Sequence, residues 1–130
     1  MQSLEILIYQ RPVSVHKRDR AGYRRWMDEV QGAAARTMGG TPFGSGSRLT
    51  LFYLYHGQAI DVDNVIRPIA NALTGVAYED DGVLSDVESH RRLLGEPLVL
   101  TSLPPLLQRP WLDMRECVYI RVDHPTEIER

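Results

Sequence analysis

The sequence predicts a small α/β (α+β) domain in which helices lie on a mixed β-sheet, and three observations lead there. Two strand-like stretches in the first half of the chain are each followed by apolar residues at helical spacing. Two further strand-like stretches follow, so the order reads β-α-β-α-β-β, an order that suits helices packed on one small sheet. At 130 residues the chain, 1–130, has the size of one domain and can bury roughly two thirds of the surface its unfolded form exposes.

Each element has its own signal. Residues 3–10 alternate Leu4, Ile6 and Ile8 against Glu5, Leu7 and Tyr9, the period-two pattern of a strand, and Pro12 ends it. From 17 to 38 the large apolar residues Tyr23, Trp26, Met27, Val30, Ala33, Ala34 and Met38 recur as a helical stripe. A glycine-rich connection leads into 48–56, nearly continuous in Leu, Phe and Tyr, which predicts a central strand covered on both faces. Val65, Ile66, Ile69, Ala70 and Leu73 then share one face of a second helix over 63–73, with Asn64, Arg67 and Asn71 on the other. Asp63 is its expected N-cap, and Pro68 is expected to bend it near Asn64. Residues 83–91 and 117–122 read as the last two strands. Between them, 94–111 combines Leu98, Leu100, Leu103, Leu106, Leu107 and Trp111 with four prolines that bar a long regular element. That segment must bury against its own chain, against a second copy or, as a wedge, in a ligand.

Charge is distributed unevenly. The chain carries 15 basic and 17 acidic residues, so no overall basic character announces a nucleic-acid binder. Yet Arg11 to Arg36 holds seven basic residues against three acids, and Ala59 to His90 holds seven acids against Arg67 alone. Lys17, Arg18, Arg20, Arg24 and Arg25 are therefore candidates for phosphate contact; a solvated helix face is the plainer reading. Cys117 is the sole cysteine and the histidines are 40, 34 and 34 residues apart, which leaves out an intrachain disulfide and zinc-finger spacing. The lone thiol and the lack of a long apolar run predict a cytoplasmic protein without a membrane partner.

The acidic segment carries the chemistry. Asp61, Asp63 and Asp81 stand just before a helix and just after its following turn, points the chain brings together if the helix folds back on the sheet. Converging carboxylates repel unless a cation sits between them, and magnesium takes such oxygen ligands. An EF-hand is excluded, because Val65, Ile66 and Ala72 stand where a calcium loop needs an oxygen ligand, a glycine and a glutamate. Helix capping by Asp63 and a turn at Asp80-Asp81-Gly82 explain the same residues without a metal. Spacing leaves both readings open.

The stretch from Asp61-Val62-Asp63-Asn64 through Arg67, Ala72-Leu73, Gly75 and Asp80-Asp81 resembles the signature of the RusA-like Holliday junction resolvases. In that family a D-x-D-N tetrad opens a helix, a basic residue follows one turn later, then an A-L pair, a turn, and a D-D before a strand. Pro12-Val13-Ser14-Val15-His16 is similar to the family's early P-x-S-x-N element, and the likeness spans roughly 4–122. Arg67 stands where the family usually has lysine, Asn71 where aspartate is frequent, and His16 where asparagine is found.

The resemblance implies a homodimeric, magnesium-dependent endodeoxyribonuclease that binds four-way DNA junctions and cuts them symmetrically in recombination and repair. Asp61, Asp63 and Asp81 map to the metal ligands, with Asp80 as the alternate to Asp81, and manganese can replace magnesium. Arg67 would offset charge on the scissile phosphate, and Asn64 would orient a water or satisfy a backbone group. A two-fold dimer suits a nearly two-fold junction. Two further readings use the same fold: a nuclease for other branched DNA, and a silent DNA-binding module if the departures disable the site.

Overall fold

The computed structural model describes residues 3–13 and 19–124. Seven elements follow one another: β1 (Ser3–Ile8), α1 (Arg20–Thr37), β2 (Ser47–Tyr55), α2 (Val62–Leu73), β3 (Leu84–Leu93), α3 (Pro105–Leu112) and β4 (Cys117–Asp123), with short 3-10 turns at Asp81–Val83 and Leu100–Ser102. The strands form one mixed sheet in the order β1-β4-β2-β3. The last strand thus lies second in the sheet, antiparallel to both β1 and β2, while β3 runs parallel to β2 along the far edge. A parallel neighbour needs a crossover, and α2 supplies it.

Register aligns the apolar residues into rows. Leu4, Val122 and Leu49 are partners across three strands, as are Ile6, Ile120 and Leu51, and then Ile8, Val118 and Tyr53. All nine are buried, and α1 covers them with Trp26, Val30, Ala33 and Ala34 while α2 adds Val65, Ile69 and Leu73. A one-residue slip would turn every one of these side chains to the other face, so this burial holds the register. The start of α1 is set by Asp19, whose carboxylate accepts from the Gly22 amide at 3.0 Å. A Cβ on Gly22 would meet the other oxygen of that carboxylate at 2.6 Å, so a side chain there would push the cap aside.

The opposite face of the sheet corrects the expected element order. Phe52 and Leu54 of β2 and Cys117 and Tyr119 of β4 pack against Leu94, Leu103 and Leu107. The last three come from the proline-rich stretch, which contains an eight-residue helix, α3. Its prolines shape the helix rather than prevent it. Pro104 is the N-cap and Pro105 takes the first position, where no amide donor is needed; Pro110, near the other end, leaves only the Leu106 carbonyl without its helical donor. Of the readings for this segment, burial within the chain is the one its inner leucines follow. β2 accordingly has both faces covered, as its continuous apolar run predicts. Among the described residues no helix is long and apolar enough to cross a membrane.

Candidate functional site

α2 presents two faces of different chemistry. Val65, Ile69 and Leu73 turn inward and are buried, whereas Asp63, Arg67 and Asn71, spaced four apart, are exposed along one side. The N-cap is Asp61, not the expected Asp63. The Asp61 carbonyl accepts from the Asn64 amide at 3.0 Å, so the first turn closes two residues earlier than the apolar stripe suggests. Asp63 then lies inside that turn, where the unpaired helix amides favour a negative charge. The Asp61 carboxylate makes no capping hydrogen bond, so no aspartate side chain caps α2, whereas the expected turn at Asp80-Asp81-Gly82 is present. Pro68 lies within the continuous helix and deprives the Asn64 carbonyl of its usual donor.

The other carboxylates follow a buried anchor. Beyond α2, Gly75 adopts φ +88°, a conformation only glycine takes freely. It turns the chain so that Tyr78, fully buried, donates its hydroxyl to the Ala70 carbonyl at 2.8 Å. Burial, and then the charge of nearby Asp81, push the Tyr78 phenol above its ordinary pKa. Asp80 caps the 3-10 turn by accepting from the Gly82 amide at 3.1 Å. The Asp81 carboxylate is exposed and makes no hydrogen bond or ion pair with a described residue, while its backbone carbonyl accepts from the Leu84 amide. Of the two neighbouring carboxylates, that of Asp80 is thus engaged in the turn and that of Asp81 is not.

The three aspartates expected to converge do not meet within one chain. Arg91, the partner of Tyr53 in the sheet, donates to the Ile60 carbonyl at 3.1 Å, which sets Asp61 beside the late residues of β2. The Val83 carbonyl accepts from the Gly46 amide at 3.1 Å, which sets Asp81 beside the beginning of β2. From Ser47 to Tyr53 an extended strand climbs about 20 Å, and the twelve residues of α2 rise about 18 Å. A crossover helix between parallel strands runs back toward the end at which the first strand began, so α2 carries the chain from the Asp61 side to the side where Asp81 follows. Among the described residues no group of three or more His, Cys, Asp or Glu is placed to hold a metal ion.

Of the basic candidates, Lys17 and Arg18, with His16, lie outside the described residues. Arg20, Arg24 and Arg25 are exposed on α1. Arg25 is 3.9 Å from Asp19, and Arg20 lies over the Tyr23 ring at 5.7 Å. Arg24 forms no ion pair with a described residue. Arg91 serves Ile60, and Arg92 donates to the Arg91 carbonyl and covers the Phe52 ring at 5.9 Å, while Glu88 lies 3.6 Å from His90.

One feature escapes the sequence reading altogether. A cleft of about 300 Å³ opens between α1 and α2, walled by Arg20, Tyr23, Arg24 and Gln31 on one side and Asn71 on the other. The polar stripe Arg20, Arg24, Asp28 and Gln31 on α1 is visible in the sequence; that Asn71 faces it is not. No family model matches the chain, and no curated protein matches it.

Proposed function

We propose that the chain is a metal-dependent, structure-selective endodeoxyribonuclease acting on four-way DNA junctions, and that its site is completed by a second copy. The observation that supports this most is the state of the motif's carboxylates: Asp61, Asp63 and Asp81 are all exposed, and the carboxylate of none of them has a hydrogen-bond or ion-pair partner among the described residues. A carboxylate set retained only for capping or turns would be engaged as Asp80 is. These donors fit magnesium or manganese in kind, since hard cations take carboxylate oxygens. They do not fit in place within one protomer, and a two-fold partner that brings its Asp81 to this chain's Asp61 and Asp63 resolves the mismatch.

When bound, such an ion supplies an activated water and neutralises charge on the phosphate. The chain's own residues supply the rest. Arg67, one turn beyond Asp63 on the exposed side of α2, binds a non-bridging phosphate oxygen and offsets charge that grows in the transition state. Its guanidinium stays protonated, so it acts as a clamp and not as a proton donor. Asn64, half-buried beside that side, orients a water or a backbone group. Arg20, Arg24 and Arg25, with Lys17 and Arg18, hold flanking phosphates without reading sequence.

Incubation with a labelled four-way junction, a flap and a linear duplex, with magnesium or with chelator, tests the reading. Paired symmetric nicks that need the metal are the expected result; cuts confined to the flap point to another branched substrate, and binding without cuts to a silent module. The wide separation of the aspartates favours that silent reading if the chain proves monomeric on DNA. Asp81→Asn is expected to abolish nicking and to leave junction binding equal or tighter, because one negative charge near the phosphates is gone. Loss of folding in that variant would assign Asp81 a structural role instead.

A further inference from the structure

We propose that the cleft between α1 and α2 takes one unpaired nucleotide of the DNA, its base against Tyr23 and its phosphate on Arg20 and Arg24. The inference rests on the reading that the chain binds DNA, and is independent of cleavage. Along α1 the cleft changes character. Arg20 and Arg24 stand at one end and Asp28 and Gln31 at the other, where Asn71 of α2 faces them. That order matches a nucleotide, anionic at its phosphate and hydrogen-bonding at the edge of its base.

Each wall group has capacity to spare. Arg24 has no ion-pair partner among the described residues, and Arg20 approaches only the Tyr23 ring, at 5.7 Å. The Gln31 amide nitrogen donates to the Ala72 carbonyl at 3.4 Å, so its oxygen is left to accept. Asn71 offers both a donor and an acceptor, and Asp28 accepts only. Tyr23 is half-buried, so its ring forms a wall instead of swinging in solvent. A free phosphate would use only the arginine end and leave the amides and the ring without a role. A paired base, stacked in a duplex, cannot reach a cleft of about 300 Å³, so the occupant is a base already unstacked, such as one at a branch point or in a single strand.

The test measures binding with chelator present, so that no strand is cut, using a labelled oligothymidylate and a labelled duplex. The wild-type chain is expected to bind both. Tyr23→Leu is expected to weaken the single strand by at least about fivefold, the lower end of what one base-aromatic stack contributes. Tyr23→Phe, which keeps the ring, is expected to bind like the wild type and shows that the fold tolerates a change there. Duplex affinity should stay within about twofold in both variants, since phosphate contacts carry it. If Tyr23→Leu holds the single strand as well as the wild type does, the nucleotide pocket is refuted while DNA binding stands. If the wild type binds a labelled four-way junction but not the single strand, the pocket alone is refuted; if it binds neither probe nor the junction, DNA binding itself is refuted and the pocket with it.

Discussion

Mixing two inactive variants should restore nicking if the site spans two copies of the chain. Asp63→Asn removes a ligand from the first turn of α2 and Asp81→Asn one from the 3-10 turn that follows beyond Leu73; the twelve residues of α2 extend about 18 Å. Two oxygens on one magnesium ion lie within about 4 Å of each other, because each is about 2.1 Å from the metal. No rotation of exposed aspartate side chains closes that difference, so under the proposal a complete set takes Asp61 and Asp63 from one protomer and Asp81 from its partner. In a mixed dimer one site then carries both substitutions and the other carries none. Equal amounts of the variants, unfolded together and refolded, give mixed dimers in about half of the population, and hence about a quarter of the wild-type number of intact sites. The assay is nicking of a labelled four-way junction with magnesium, each variant alone serving as the blank. The reasoning is refuted if the mixture stays as inactive as its components while copies of different mass prove that mixed dimers have formed.

Two further outcomes concern the fold that carries this site. Leu107 is fully buried between α3 and the sheet, so Leu107→Ala should lower the unfolding free energy by about 2–5 kcal/mol in a urea titration; Leu106→Ala, at a position 45% exposed, should cost under about 1 kcal/mol, and equal losses at both positions would refute the packing of α3. Burial pushes the Cys117 thiol from 9.0 up to about 12. The folded chain therefore keeps a proton that the unfolded chain gives up, and the stability from this group, fully present below pH 9, declines as pH rises toward 12 by at most about 1.4 kcal/mol per unit. Cys117→Ala should flatten that decline, and a thiol reagent at pH 8 should reach the residue only after unfolding.

Local patterns carried much of the architecture. The alternation of Leu4, Ile6 and Ile8 and the stripe through Trp26, Val30 and Ala34 depend on near neighbours in the chain, and their burial follows the periodicity. The continuous apolar run of β2 likewise announced cover on both faces. What supplied the second cover was less legible, because Pro104, Pro105 and Pro110 read as breakers unless their positions within α3 are known. The N-cap was misplaced for a related reason: hydrophobic periodicity marks where a helix is buried, whereas its first turn is decided by the Asp61 carbonyl and the Asn64 amide.

The sequence by itself determined which residues are chemically equipped: a D-x-D-N tetrad, an arginine one turn later, a D-D pair, and a basic first helix. These are properties of residue type and near spacing, and no fold is needed to read them. Tertiary structure decided which of them meet. A helix that links parallel strands runs back from the end of one strand to the beginning of the next, so α2 lies between Asp61 at its N-cap and Asp81 in the turn that leads into β3. The same packing brings Asn71 to the polar stripe of α1 and makes a cleft from two helix faces that have no relation in sequence. Distance in space depends on the path of the whole chain, and that path is settled only when every apolar face has found its cover.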